Sequence, residues 1–369
     1  MYPSRLQRLR AALAKANLDC AVAIAGPNLY YLTGLNFHLS ERPTVGFFPI
    51  NGTPVIVAGA LEESKITSHP PYPIKAITYT DADGPAAAFR EAAQFLKLSS
   101  ARLGIESRRM RVMELRFIEE AFLQPRTLAA EEIYASLRMA KDAQELAVMR
   151  EAVVIAERAL AATLPTIRVG QTEREIAAEL VVQTLRAGSD ADLPFAPIVA
   201  SGPNSALPHA FVTDRQIQRG DLLTLDWGAA KGGYFADLTR TFAIGEIAPE
   251  LKRIYALVLA ANEAGKAAAK PGVACAEVDA AARKVIEEGG YGQYFTHRLG
   301  HGLGLEGHED PSMHGRNETS LETGVTFTVE PGIYVPGKGG VRIEDDVVVT
   351  ADGCESLSTY PRELLVIGV

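Results

Sequence analysis

Cysteine is scarce in this chain of 369 residues, which contains only three. Cys20, Cys275 and Cys354 are scattered, without the paired spacing that makes a disulfide framework or a zinc knuckle. A reducing compartment is the simpler interpretation of this pattern. We therefore expect a cytoplasmic protein.

Long apolar runs and an excess of basic charge are also missing. No stretch approaches the 18 uncharged apolar residues of a membrane span. The N-terminal segment MYPSRLQRLRAALAKANLD has no uninterrupted apolar core before a cleavage site. Lys and Arg number 37 against 45 Asp and Glu, a formal charge of -8, whereas a nucleic-acid footprint needs a basic face. We expect neither a membrane nor a nucleic acid as a partner.

The composition that remains is that of an ordinary globular protein. Hydrophobic residues make up 47% of the chain and charged residues 22%, which is typical of soluble domains. A length of 369 residues is too great for one average domain. Two domains are therefore expected, each able to bury a core.

The first third of the chain has the pattern of a small α/β domain. Four short apolar runs, CAVAIA, TVGFFPI, PVIVAG and ARLGIE, predict buried strands. Helical patterns at about 84–97 and 110–123 alternate with them. A proline and a change of rhythm place the domain boundary near residue 130.

The rest of the chain combines helices with strands. A long helix is predicted from the boundary to about residue 163. Thr172 and Glu175 form a capping box at the start of a second helix, and a third begins at Pro249. The architecture predicted for this part is a set of helices backing a curved antiparallel sheet.

Five residues with metal-binding side chains lie on or between the predicted strands: Asp226, Asp237, His301, Glu330 and Glu344. Four carboxylates and one imidazole form an oxygen-rich pocket for a pair of divalent cations, whose bound hydroxide could attack a carbonyl carbon. The set indicates a two-metal hydrolase.

Each carboxylate also has a simpler explanation when it is taken singly. Asp226 could end a strand, Asp237 could pair with Arg240, and Glu344 could pair with Arg342. Against this, both aspartates interrupt apolar runs, where an unpaired charge is costly to bury. A turn at KGG would let them meet on facing strands, and a cation between them would remove that cost.

The segment HRLGHGLGLEGHE contains three of the seven histidines, His297, His301 and His308. A lone histidine among glycines is more often a loop residue than a ligand, but three within twelve residues make the loop explanation the weaker one. The glycines of this segment would let the backbone come close to a ligand.

The blocks LDWGA, FADLTR, GHGLGLEGHE, TVEPGIY and VRIEDD resemble those of the creatinase and aminopeptidase family of metallopeptidases, in particular its dinuclear members. The resemblance covers essentially the whole chain. It implies an α/β creatinase-like N-terminal domain, residues 1–130. It also implies an α+β pita-bread catalytic domain with a curved antiparallel sheet, residues 131–369.

Carried over to this sequence, the resemblance implies that Asp226 binds one metal and that His301 and Glu330 bind the other. Asp237 and Glu344 would bridge the pair, with the nucleophilic hydroxide shared between the two ions. Glu330 is also implied to exchange protons with that hydroxide.

Four further residues match active-site positions of the family. His308 would polarise the scissile carbonyl, and His209 would contact the amide on the leaving side and pass a proton to its nitrogen. His297 would line the proline-side pocket. Arg342 would support Glu344 or bind a substrate carboxylate.

The function that the resemblance implies is hydrolysis of the peptide bond before proline in small peptides. The compact length favours dipeptides, with an aminopeptidase acting on longer Xaa-Pro peptides, or a hydrolase of another small amide, as alternatives. A non-catalytic binding module is disfavoured because all five ligands are present. Manganese suits the oxygen-rich set, and cobalt, zinc or iron could also occupy it. A homodimer is expected.

Overall fold

The computed structural model describes residues 1–98, 100–123 and 125–368. The chain forms two compact units, Met1–Arg138 and Met139–Val369. The sequence analysis placed a boundary near residue 130, whereas the division lies after Arg138. Residues Glu131–Arg138 form a helix that is hydrogen-bonded to the first unit, since Tyr31 Oη donates to the carbonyl of Leu137 at 2.6 Å.

The first unit contains a six-stranded mixed sheet. Its strands are β1 (Cys20–Ile24), β2 (Val45–Pro49), β3 (Val55–Gly59), β4 (Lys75–Tyr79), β5 (Arg102–Ile105) and β6 (Arg126–Ala129). They lie in the order β4-β3-β2-β1-β5-β6, with β2 antiparallel to both of its neighbours and the other pairs parallel. The four predicted strands correspond to β1, β2, β3 and β5.

Helices flank this sheet in sequence. They are α1 (Tyr2–Ala16), α2 (Pro27–Thr33), α3 (Glu63–Ser68), α4 (Ala86–Leu96), α5 (Val112–Ala121) and α6 (Glu131–Arg138). The two helices predicted at about 84–97 and 110–123 match α4 and α5. In the core, the ring of Phe47 stacks on Phe122 at 5.2 Å and meets Phe89 edge-on at 6.2 Å.

The second unit contains four longer helices, α7 (Ala143–Thr163), α8 (Glu173–Arg186), α9 (Pro249–Ala268) and α10 (Cys275–Glu288). The prediction of one long helix from residue 130 to 163 was wrong, because α6 and α7 are separate. Asp142 caps α7 by accepting from the backbone of Gln144 and Glu145, which starts a new helix there. The capping box of Thr172 and Glu175 and the helix start at Pro249 are confirmed.

Two sheets and a hairpin complete this unit. The strands are β7 (Ile198–Ser201), β8 (Leu222–Lys231), β9 (Tyr234–Ile244), β10 (Gly300–Gly302), β11 (Glu309–Met313), β12 (Thr326–Val329), β13 (Gly332–Val335), β14 (Gly339–Arg342), β15 (Asp345–Val349), β16 (Cys354–Ser356) and β17 (Val366–Ile367). The sheet orders are β17-β9-β8-β7 and β11-β10-β12-β15-β16, with β13 and β14 paired on their own. Pairing within the described residues of this unit is antiparallel except for β17 with β9.

The hairpin of β8 and β9 carries the first two predicted ligands. Gly232 and Gly233 both have positive φ, 54° and 79°, which a tight two-residue hairpin turn requires. The predicted turn at KGG is therefore confirmed. Trp227 on β8 is fully buried, and its indole N–H donates to the carbonyl of Ala156 in α7 at 3.0 Å, which fixes the hairpin on that helix.

Within the described residues, no helix has both the length and the apolar character that crossing a bilayer requires.

Candidate metal centre

The five predicted metal ligands converge on one cavity of about 800 Å³ in the second unit. They arrive from different strands and strand ends: Asp226 (β8), Asp237 (β9), His301 (β10), Glu330 (after β12) and Glu344 (between β14 and β15). The cavity wall also contains the four other predicted site residues, His209, His297, His308 and Arg342.

Strand register brings the two aspartates together. Asp226 lies opposite Thr239, and Asp237 lies opposite Gly228, two positions along the same pair of strands. Since alternate residues of a strand share a face, both carboxylates lie on the same face as diagonal neighbours. The expected meeting of the two aspartates on facing strands is found.

The hydrogen bonds of His301 fix which ring nitrogen is free. Its Nδ1 lies 3.1 Å from the carbonyl oxygen of Gly302, and because a carbonyl can only accept, Nδ1 carries the proton. Nε2 then faces the carboxylates, 3.3 Å from Glu330 Oε1 and 3.7 Å from Asp237 Oδ2. This is the tautomer that a metal ligand needs.

The glycines around His301 have a different role from the one predicted. A Cβ at Gly300 would lie 1.8 Å from the carbonyl oxygen of Thr328, and one at Gly302 would lie 2.2 Å from that of Asp310. These glycines let β10 lie close to its neighbouring strands, where the sequence analysis expected a close approach to a ligand.

Glu344 lies between two strands and forms an isolated β-bridge with Thr239. It stands between β14, which pairs with β13, and β15, which pairs with β12, so the chain changes sheets there. The side chain is held by Thr239, whose hydroxyl donates to Glu344 Oε2 at 2.6 Å.

The electrostatics of the centre are those of a cation site. Burial raises the pKa of Asp226, and it raises the pKa of Asp237 and Glu344 well above their usual range, with repulsion between these carboxylates adding to the effect. Burial would also raise the pKa of Glu330, but the neighbouring His301, His297 and Arg342 lower it to about 2.

The donor set fits a divalent metal. One carboxylate oxygen of Asp226, Oδ1, is buried without a hydrogen-bond partner among the described residues. Ligand atoms of Asp237, His301 and Glu344 all lie within 4.8 Å of one another. A cation here would neutralise crowded carboxylates and give the unpartnered oxygen a ligand role.

Arg342 is committed to protein acceptors. Its Nη2 donates to Asp226 Oδ2 at 2.5 Å, and Nη1 donates to Tyr334 Oη and to the carbonyl of Pro208. The side chain is buried. Arg342 therefore pairs with Asp226, whereas it was expected to support Glu344 or to bind a substrate carboxylate. Likewise, Arg240 donates to Asp345 and not to Asp237.

His297 belongs to a directed hydrogen-bond chain. Its Nδ1 donates to its neighbour's carbonyl at 2.7 Å, so Nε2 accepts from Tyr334 Oη at 2.9 Å, and that hydroxyl in turn accepts from Arg342. Burial lowers the pKa of His297, which favours the neutral ring.

His209 and His308 are exposed on the cavity wall. The ring of His308 lies 4.0 Å from that of His301. Although the residue is exposed, the cavity wall removes part of the water around the ring, and this loss of solvation, with the nearby His301 and Arg298, lowers the pKa of His308 to about 4, so the ring is neutral at pH 7.

Sequence reasoning missed four residues of the site. Asp346 is fully buried and accepts the backbone N–H of Asp237 at 3.0 Å. Thr239 and Asp346 each lie two residues from a ligand, a spacing that could have indicated them. Tyr334 and Arg298 carried no such signal.

Comparison with known proteins agrees with this geometry. Residues 147–351 match metallopeptidase family M24, and residues 5–140 match the creatinase/prolidase N-terminal domain. The Xaa-Pro dipeptidase of Pyrococcus furiosus is 36% identical over 98% of this chain and 99% of that protein. The crystal structure of the prolidase from Thermococcus sibiricus is similar with a TM-score of 0.94, at 33% identity over 100% and 99% of the two chains. The crystal structure of the X-Pro aminopeptidase from Thermotoga maritima is similar with a TM-score of 0.85, at 33% identity over 97% of this chain and 100% of that chain.

The chain belongs to metallopeptidase family M24. The prediction of an enzyme of this class is confirmed, as is the predicted fold, a creatinase-type N-terminal domain followed by a pita-bread domain. Membership implies that divalent metal ions take part in catalysis.

Proposed function

We propose that this metallopeptidase hydrolyses the bond before proline in Xaa-Pro dipeptides with two divalent cations. The observation that carries the proposal is the convergence of three buried carboxylates, the half-buried Glu330 and the Nε2 of His301 on one cavity, where Asp226 Oδ1 has no hydrogen-bond partner among the described residues. The likeness to Xaa-Pro dipeptidases over the whole chain supports the substrate class.

The ligands divide between two ions. Asp226 would hold one, His301 and Glu330 would hold the other, and Asp237 and Glu344 would be shared between them. When bound, the cations supply a hydroxide nucleophile and polarise the scissile carbonyl. The oxygen-rich set suits manganese, with cobalt, zinc and iron as the ions to compare.

The residues around the ligands handle substrate atoms and protons. Neutral His308 donates an N–H to the carbonyl oxygen as negative charge develops on it. Glu330 would exchange a proton with the nucleophile, and His209 would deliver one to the proline nitrogen. His297, held by Tyr334, lines the wall against the proline ring.

Arg298 supports a dipeptide over a longer substrate. It is half-buried on the cavity wall, and its guanidinium makes one hydrogen bond to the described residues, from Nη1 to Ser312 Oγ at 2.9 Å. With Arg342 committed to Asp226, Arg298 is the cavity arginine whose remaining donors can pair with a free proline carboxylate.

A substrate panel tests the function. Ala-Pro, Ala-Pro-Ala, Met-Ala-Ser and creatine are incubated with manganese and with a chelator. We expect Ala-Pro to be cleaved fastest and chelation to stop the reaction. Faster cleavage of Ala-Pro-Ala would favour an Xaa-Pro aminopeptidase, the alternative supported by the likeness to the Thermotoga maritima structure. Indifference to proline would indicate another amide substrate.

The role of Arg298 predicts a change in selectivity. Arg298→Gln should raise KM for Ala-Pro about 10- to 100-fold, as expected for loss of a charge-assisted contact worth about 1.5–3 kcal/mol. KM for Ala-Pro amide, which lacks the carboxylate, should stay at the wild-type value. An equal rise of KM for both substrates would show that Arg298 does not bind the substrate carboxylate.

A further inference from the structure

Glu173, the first residue of α8, is a fully buried carboxylate outside the metal centre. Both of its oxygens accept hydrogen bonds. Oε1 accepts from the backbone N–H and the hydroxyl of Ser201, both at 2.8 Å. Oε2 accepts from the backbone N–H and the hydroxyl of Thr213, at 3.1 and 2.6 Å. Asn204 Nδ2 adds a donor between them, 3.1 and 3.2 Å from the two oxygens.

The donors to Glu173 are neutral groups, and among the described residues no arginine or lysine forms an ion pair with it. The position at the first turn of α8 favours negative charge there. The carboxylate is therefore stabilised by hydrogen bonds from a single segment of the chain. The same hydrogen bonds hold that segment in place.

That segment is the loop 202–212, whose two ends Glu173 ties together. Ser201 ends β7, and Thr213 follows the loop, so one carboxylate closes the base of the loop from both sides. The loop carries His209, and Pro208 and Phe211 on it line the cavity with His209.

The His209 side chain makes no hydrogen bond to the described residues. Its position therefore depends on the backbone of the loop. The tip of the loop is held at Pro208, whose carbonyl accepts from Arg342 at 3.1 Å, and the base is held by Glu173.

We propose that Glu173 is a positioning residue, which holds the loop 202–212 closed at its base and so places His209 for the reaction. The inference rests on the proposed function for the role of His209. A glutamine at this position would keep the shape but turn one acceptor into a donor facing N–H and O–H groups, so one end of the loop would be released.

Hydrogen exchange of the metal-loaded protein tests whether Glu173 holds the loop 202–212. In Glu173→Gln, amides of 202–213 should exchange at least about 10-fold faster than in wild type, because an opened base lowers local stability by more than 1.4 kcal/mol. Thr172→Ala is the matched control, since it removes the helix cap next door but leaves Glu173 in place. Unchanged exchange of 202–213 in Glu173→Gln, or the same change in Thr172→Ala, would overturn the proposal.

Kinetics with Ala-Pro test the link to His209. Glu173→Gln should lower kcat/KM about 10- to 100-fold with metal content unchanged, as expected for a misplaced catalytic group. When His209→Ala is already present, adding Glu173→Gln should cost little more, because both changes remove the same contribution. Losses that multiply in the double variant would overturn the link, and so would a wild-type rate in Glu173→Gln.

Thr213→Val keeps the proposal testable if Glu173→Gln does not fold. It removes the hydroxyl that donates to Glu173 Oε2, with little change in volume. It should produce both faster exchange of 202–213 and a lower kcat/KM, each to a smaller degree than Glu173→Gln. Failure of the proposed function is distinguishable, because wild-type protein would then not cleave Ala-Pro while the exchange measurement would still decide whether Glu173 holds the loop.

Discussion

At the scale of single residues, two neighbouring histidines of the cavity differ in what fixes them. His301 has Nδ1 bonded to a carbonyl and Nε2 aimed at the carboxylates. His308 lies 4.0 Å away ring to ring, on the exposed wall, with no hydrogen bond of its own to the described residues. The ring of His301 is therefore oriented by a hydrogen bond, with Nε2 towards the carboxylates, whereas the ring of His308 is open to the cavity.

This difference predicts separate effects of mutation at His308. His308→Ala should lower kcat on Ala-Pro by about two to three orders of magnitude, as expected for loss of an oxyanion donor. Its metal content should stay at the wild-type level. Steady-state kinetics and elemental analysis of the same sample are the measurements.

His314 provides the matched control. It is exposed, lies outside the cavity wall, and its Nδ1 accepts the backbone N–H of Arg316. His314→Ala should keep nearly full activity. Metal loss in His308→Ala would instead make His308 a ligand, which the proposed assignment does not allow.

The sequence could predict the residue types at the centre but not their partnerships. Asp226, Asp237 and His301 could be identified because acids and histidines stand out in apolar or glycine-rich runs. That Arg342 serves Asp226 could not be predicted, because 116 positions separate them and only the packing of β14 against β8 brings them together.

At the scale of elements, close packing of β10 against β12 is a requirement of the centre. Gly300 precedes His301, and a methyl group there would meet the Thr328 carbonyl at 1.8 Å. The backbone would have to move apart at the strand that carries a ligand.

Gly300→Ala should therefore lower the free energy of unfolding by about 2 kcal/mol or more and reduce metal binding. Gly307→Ala is the control, since a Cβ there would meet nothing within 4 Å and its φ is unremarkable. Urea denaturation of the two variants, with metal analysis, makes the comparison. Equal stability of both would contradict this account of the glycine.

A buried network in the first unit predicts a pH dependence of stability. Glu106, after β5, accepts the backbone N–H of Ile24 at 2.6 Å and the amide of Asn28 at 2.7 Å. Burial raises the pKa of Glu106 to about 7, against 4.5 for the unburied group. The folded unit therefore binds more protons than the unfolded chain between these values, so its stability falls as pH rises through this window.

Exchange of the β1 amides, followed from pH 5 to pH 8 and corrected for intrinsic rates, measures this effect. We expect wild type to lose protection with rising pH and Glu106→Gln to lose the slope. Glu131→Gln should keep the wild-type slope, because the Glu131 pKa is lowered and the group does not titrate in this window. A flat profile in wild type would contradict the prediction.

Helices and strands could be predicted where the hydrophobic pattern of a segment and its capping residues indicate the same element. The apolar runs of β1, β2, β3 and β5 are fully or largely buried, whereas β4 and β6 lie at the sheet edges with mixed or exposed side chains and gave no pattern. The end of α6 was missed because the cap at Asp142 starts a new helix within a stretch of helix-forming residues.

At the scale of the whole molecule, the order of the motifs indicated the family more strongly than any single motif did. Each acid or histidine has a simpler explanation alone, but all five lie in the segment 147–351, which matches family M24. The residue that we propose to select for dipeptides, Arg298, was not predictable from the sequence, because tertiary packing brings it to the cavity wall.

Metal dependence tests the central claim most directly. Purified protein is stripped with a chelator, its metal content is measured, and hydrolysis of Ala-Pro is followed before and after manganese is added back. We expect hydrolysis to disappear on stripping and to return as bound metal approaches two ions per chain, since nucleophile generation depends on the ions. Full activity in protein shown by elemental analysis to hold no metal would contradict the account.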